Sequence, residues 1–163
     1  DGSAWKTVLA FYQASQLWEW VTSDSTYQEM RSGGELGLIR DQDLRDRLSQ
    51  YYLENGSGTA YLFMMQPEYR KLVRGLTPSL VADHIWAECW RQPRPAEQYL
   101  LECDSPVSEA QAQAVLAGYM KDPELLKELR FWVANQGVAL AAIGNYKPIL
   151  RDMLARQNSE PVQ

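Results

Sequence analysis

"STYQEMRSGGELGLIRDQDLRDRLSQYY", residues 25–52, decides how the chain is built. Two amphipathic stretches flank Gly33, Gly34 and Gly37, which could form either a ligand cradle or a backbone corner. A phosphate cradle requires G-x-G-x-x-G or G-x-x-x-x-G-K-[ST] after a strand; neither spacing is present, and Glu35 would repel phosphate. The stretch therefore reads as a structural corner, with glycine supplying the positive φ of a tight helix-to-helix turn and Leu36, Leu38 and Ile39 tucked into the core. On its N-terminal side Ser25 and Gln28 fit the S-x-x-Q capping box of a short helix carrying Tyr27 and Met30. On its C-terminal side a helix begins near Asp41, with Leu44, Leu48, Tyr51 and Tyr52 on one face and acid-first pairs Asp41–Arg45 and Asp43–Arg47.

Working outward, residues 4–21 form a helix that is apolar on most sides, with Trp5, Leu9, Tyr12, Leu17, Trp18 and Val21, and suit the middle of a bundle. "ENGSG" at 54–58 breaks the Asp41 helix, and Tyr61, Met64 and Met65 precede Pro67, which kinks the next helix or opens it. Thr77-Pro78 reads as N-cap and first helical residue, Ser108-Glu109 opens an alanine-rich helix, and Asp122-Pro123 opens the last and longest. That last segment keeps three- and four-residue steps from Leu125 through Trp132, Ala139, Ile143 and Tyr146 to Met153, with a bend or break expected at Gly137, Gly144 and Pro148. "QYLLEC" is the nearest approach to a strand and is too short to support a sheet. The expected fold is all-α, an irregular helical bundle of about five to seven helices. Residues 1–156 read as one helical domain and 157–163, "QNSEPVQ", as a disordered tail.

The 163 residues, 45% hydrophobic and 23% charged, can bury a core without help from metal or disulfide. Sixteen basic against 21 acidic side chains give a formal charge of -5, which argues against a broad nucleic-acid surface. No run of about 18 apolar residues spans a membrane.

Cys89 and Cys103 stand 14 positions apart with Pro93 and Pro95 between them; they pair as a disulfide in an oxidising compartment or remain two buried thiols. His84 is the single histidine. With Glu88 at i,i+4 it places two weak ligand or metal candidates on one helix face, where a closed zinc site needs three or four. Cys89 lies five positions from His84, about 500° around a helix, so the two are expected to point apart. No catalytic motif and no cofactor motif is present. Six Trp and nine Tyr could line an aromatic pocket but fall mostly at core spacing. Arg70, Lys71 and Arg74, with Arg91 and Arg94, form a modest basic cluster.

The 25–52 stretch also resembles a pattern in a family of uncharacterised bacterial membrane-anchored proteins, a domain of unknown function. The matching positions are Thr26, Tyr27, Gly34, Leu36, Leu38, Ile39, Leu44, Arg45, Tyr51 and Tyr52, and "DPELLKELR" from Asp122 to Arg130 is similar in style. Gly33 and Gly37 depart from the pattern, which more often has a hydroxyl and a polar residue there. The resemblance implies one N-terminal transmembrane helix, absent from this chain, followed by a helical domain on the extracytoplasmic, periplasmic side of a bacterial inner membrane. It brings no activity.

Three functional readings follow. The leading one is a non-catalytic extracytoplasmic module that binds a protein or small ligand. The second is a hydrolase-type enzyme whose site is assembled from dispersed carboxylates and His84. The third is a structural module that forms a homodimer through the long apolar last segment.

Overall fold

The structure, a computed structural model, describes residues 3–17, 23–54, 67–94 and 97–159, with backbone alone at 54, 143 and 157–159. The fold is all-α. The described residues form helices α1 (Ala4–Ala14), α2 (Ser25–Ser32), α3 (Gln42–Glu54), α4 (Glu68–Leu76), α5 (Ser79–Glu88), α6 (Glu109–Lys121) and α7 (Pro123–Ser159), with a 3₁₀ turn at Glu35–Leu38. Trp18, Val21, Tyr61, Met64 and Met65, most of the "ENGSG" breaker and the end of the expected tail lie outside the described residues. No described helix is long and apolar enough to cross a membrane.

The sequence reading missed one element. Strands β1 (Trp90–Arg94) and β2 (Glu97–Leu100) pair antiparallel as a hairpin, Trp90 opposite Leu100 and Arg91 opposite Tyr99. The register is irregular between Arg91 and Arg94, where Pro93 has no N–H to give the ladder.

The chain contacts gather into two compact units, Asp1–Trp18 with Gln66–Ala134, and Glu19–Met65 with Asn135–Gln163. The first holds a core built from α1, α4, α5, α6 and the start of α7, including Trp5, Val8, Tyr12, Tyr69, Val73, Ile85, Tyr119, Leu125 and Trp132. Helix α1 stops at Ala14, well short of the expected residue 21. Its end is closed by polar partners that take up the carbonyls a helix terminus leaves open. The Ser15 hydroxyl donates to Tyr12 O (2.6 Å), Trp132 Nε1 to Ala14 O (2.8 Å), Arg70 Nη1 to Ser15 O (2.7 Å) and the Tyr69 hydroxyl to Phe11 O (2.7 Å). At its start Glu109 of α6 accepts from Ala4 N (2.8 Å) and the Ser3 hydroxyl (3.1 Å), and these bonds hold its carboxyl pKa below the usual value.

Caps set the other boundaries. Ser108 and Gln111 close a reciprocal capping box on α6, and Asp122 Oδ1 accepts from Glu124 N and Leu125 N to open α7. Pro78, expected as the first residue of α5, is instead its N-cap. Thr77 is freed for the core: its hydroxyl donates to Val73 O (2.6 Å) and, with that proton spent, accepts from the Tyr119 hydroxyl (2.6 Å).

Burial raises the phenol pKa of both Tyr69 and Tyr119. A phenol whose folded pKa lies above its unfolded value of about 10 contributes stability that is complete below that pH and is lost as pH rises through it. Stability should therefore fall as pH rises above about 10. In Tyr69→Phe the fall should be shallower, which denaturant midpoints between pH 8 and 11, run beside wild type, would read out. Parallel curves for the two proteins would remove Tyr69 from the account.

In the second unit, α2 begins one residue earlier than the sequence suggests. Asp24 is the N-cap, Ser25 is already helical, and Gln28 donates through Nε2 to Asp24 Oδ2 (3.0 Å), so the Ser25–Gln28 capping box is not formed. Gly34, at φ 74°, makes the left-handed step from α2 into the 3₁₀ turn. Leu36 and Ile39 are half-buried, but Leu38 is 75% exposed and does not reach the core, because a 3₁₀ turn points neighbouring side chains in three directions. Gly34→Val should cost about 1–2 kcal/mol by forcing a branched side chain into that conformation. Gly37→Ala, where an added Cβ meets open space and φ is not positive, should stay within about 0.5 kcal/mol. Chemical denaturation of the pair separates strain from any general intolerance of the loop.

Of the two acid-first pairs expected in α3, Asp43–Arg47 forms (2.9 Å) and Asp41–Arg45 does not. Asp41 is instead the cap, accepting from Leu44 N (3.2 Å), and faces Arg156 (3.4 Å), while Arg45 donates to Ile39 O (2.7 Å). Arg47 and Arg156 both reach Asp152, so α3 and the second half of α7 share a network of ion pairs. Helix α7 continues through Gly137, Gly144 and Pro148 without a break. Gly144 lies one turn before Pro148, but a Cβ added there would meet open space, so the glycine is not what accommodates the proline ring.

Candidate functional site

The 25–52 stretch builds a groove, and the glycines are not what lines it. Helices α2 and α3 carry Tyr27 and Tyr52 into a stacked pair, ring centroids 4.3 Å apart and planes 16° from parallel. Tyr51 meets Tyr52 edge-on at 5.1 Å and Tyr146 of α7 at 6.1 Å, so the stack is backed by further aromatic surface. Beside it opens a groove of about 520 Å³, within the range of small-molecule sites. Tyr27, Tyr52, Leu36 and Leu53 give it apolar walls, and Asp24, Gln28, Arg31 and Ser49 supply polar groups. Asp24 is engaged by Gln28, which leaves Arg31 as the cation offered to a ligand carboxylate. Leu36 is the one residue of the "SGGELG" corner on the groove wall, so the glycines act by turning the chain.

The sequence singled out a second place, His84, and the structure changes its partners. Glu88 is not brought to it; that carboxylate is exposed and faces Arg91 at 4.0 Å. The sulfurs of Cys89 and Cys103 are. A ring nitrogen of His84 and the two sulfurs lie within 4.8 Å of one another. The expected divergence of His84 and Cys89 assumed that the helix continues, but Cys89 is the C-cap of α5, where the chain leaves the helix for β1. Cys89 and Cys103 are bonded as a disulfide with Cα atoms 5.2 Å apart, the paired alternative of the two the sequence left open. His84 Nε2 is 2.8 Å from the carbonyl of Asp104, and its ring meets Trp5 edge-on at 6.0 Å.

The basic cluster is mostly structural. Arg74 lies between the rings of Tyr12 and Trp86, 5.3 Å from each centroid, and donates to the Ser15 hydroxyl and to Gln16 Oε1. Burial lowers the pKa of both Arg70 and Arg74, whose charges face the C-terminal end of α1. Lys71 pairs with Glu68 (3.0 Å) and Arg94 with Glu97 (3.0 Å). On α7, Phe131 and Val133 are exposed about 200° apart in the first unit, and Val138 and Leu140 are likewise exposed and about 200° apart in the second.

Fold and sites together define an all-α protein with an internal disulfide and an aromatic groove at a helix–corner–helix. No family model, curated protein or solved structure matches the chain.

Proposed function

We propose that the protein is a non-catalytic binding module that takes a small ligand, or one side chain of a partner protein, in the Tyr27–Tyr52 groove. The observation that carries this reading is the groove itself: a stacked aromatic wall with Arg31 beside it, and room for a ligand larger than a single aromatic ring. The cluster at His84 supports a binding role over a hydrolytic one, because among the described residues it gathers sulfur around the imidazole and no carboxylate. A disulfide is chemistry of oxidising compartments, which supports display on the extracytoplasmic side of a bacterial inner membrane, behind an N-terminal anchor outside this chain.

Phenylacetate is a suitable probe, since its ring can lie on the tyrosines while its carboxylate meets Arg31. Titrated calorimetrically into the full chain, it should bind saturably. Arg31→Ala and Tyr52→Ala should each weaken it about tenfold, the equivalent of 1.4 kcal/mol, which is the scale of one charge-assisted hydrogen bond or one aromatic contact. His84→Ala should leave binding unchanged. Equal affinity in all four proteins, or none in wild type, would rule the groove out as the site.

A further inference from the structure

We propose that reduction of the Cys89–Cys103 disulfide converts it, together with His84, into a three-ligand site for a thiophilic divalent cation of the zinc class. Three observations point there. The first is spacing. A tetrahedral zinc site with sulfur at about 2.3 Å and nitrogen at about 2.0 Å sets its ligand atoms roughly 3.5–3.8 Å apart. The His84 nitrogen and the two sulfurs already fall within 4.8 Å of one another. Opening the sulfur–sulfur bond supplies the separation the sulfurs need, with little change asked of the backbone.

The second is the state of the imidazole. A carbonyl oxygen only accepts, so the 2.8 Å contact with Asp104 O calls for a proton on His84 Nε2, and in the neutral imidazole that a metal binds the lone pair is then on Nδ1. A histidine that donates one ring N–H to a backbone carbonyl while the other nitrogen holds metal is the usual outer-shell arrangement of zinc sites.

The third is that both cysteines are held by bonds other than their own. Cys89 N donates to Ile85 O (3.0 Å) and Leu101 N donates to Cys89 O (2.8 Å), continuing the β1–β2 pairing. Trp5 Nε1 donates to Cys103 O (2.7 Å). None of these contacts uses the sulfurs, so on reduction the thiols should stay close to where the sulfurs were. Cys89 is fully buried while Cys103 and His84 are half-buried, which leaves one side open for ion entry and for a water in the fourth position. Two sulfurs and one nitrogen, with no carboxylate, select zinc over magnesium or calcium.

The redox step balances with an external dithiol as reductant. Its thiolate attacks Sγ of Cys103, the more accessible sulfur, and Cys89 leaves as thiolate. The reductant's second thiol then displaces Cys103 and closes to a cyclic disulfide. Two electrons and two protons have passed to the protein, and the cation displaces the two thiol protons on binding.

The test is anaerobic. Full chain reduced with a dithiol and desalted is titrated with Co²⁺. One equivalent should bind with thiolate-to-cobalt charge-transfer absorption and strong tetrahedral visible bands, and Zn²⁺ should displace it. The oxidised chain should give no such spectrum. His84→Ala should weaken Co²⁺ binding by at least about tenfold, the scale on which even outer-shell partners act, and Cys103→Ser should halve the charge-transfer intensity or abolish it. Far-ultraviolet circular dichroism should report an unchanged helical chain after reduction. Reduced chain that unfolds, a folded reduced chain without stoichiometric Co²⁺, or a His84→Ala variant that binds as tightly as wild type would each overturn the proposal.

Discussion

Trp132→Ala should lower the unfolding free energy by about 3–5 kcal/mol, in the top range expected of a single core substitution. Trp132 is 6% exposed, belongs to the first unit's core and donates from Nε1 to Ala14 O. Truncation opens a cavity and also removes the partner of a carbonyl at the end of α1. The adjacent Phe131 is 61% exposed, so Phe131→Ala should change stability by less than about 0.5 kcal/mol. Urea denaturation of the two variants separates them. Equal, small effects would mean that α7 does not pack through Trp132.

Removing the disulfide should have the next largest effect, about 3 kcal/mol, because the bond closes a loop with a sequence separation of 14 and that loop regains its freedom in the unfolded chain. For a protein of this size the loss corresponds to a drop in Tm of roughly 6–12 °C. The cost should fall on the unfolded state, since Leu101 N to Cys89 O and Trp5 Nε1 to Cys103 O keep both segments in place without the bond. A Cys89→Ala, Cys103→Ala chain should therefore melt earlier while keeping its helical circular dichroism at 25 °C. The same Tm for the oxidised wild type and the double variant would contradict both the bond and its energetic role.

Much of the architecture could be read from local chemistry. Ser108 with Gln111 and Asp122 before Pro123 announced their helices because a capping side chain needs only its own next turn. Gly34 was legible as a corner for the same reason: positive φ is a property of one residue. What escaped the sequence depends on distant partners. Helix α1 ends at Ala14 because residues from α4 and α7 take up its carbonyls, and nothing within residues 4–21 signals that. The β1–β2 hairpin contains Pro93, which argues against a strand unless its partner strand is known. Leu38 carried a core residue's identity into an exposed turn.

The sites divide along the same line. Cys89 and Cys103 were visible as a pair, but the approach of His84 to their sulfurs was not, because helical spacing stops applying where α5 ends at Cys89. Tyr27 and Tyr52 stood in the sequence as core aromatics, 25 residues apart. Their stacking becomes apparent only when Gly34 turns α2 back toward α3, and a signal was available in the paired aromatics flanking a glycine corner.

The most direct test of the binding reading is residue-resolved. In a titration of the ¹⁵N-labelled full chain with phenylacetate, amide shifts should saturate together at Tyr27, Gln28, Arg31, Leu36, Ser49 and Tyr52, six of the eight residues that line the groove. Amides around His84 and Cys103 should not move. Shifts that fail to saturate, or that centre on residues away from this groove, would contradict the account.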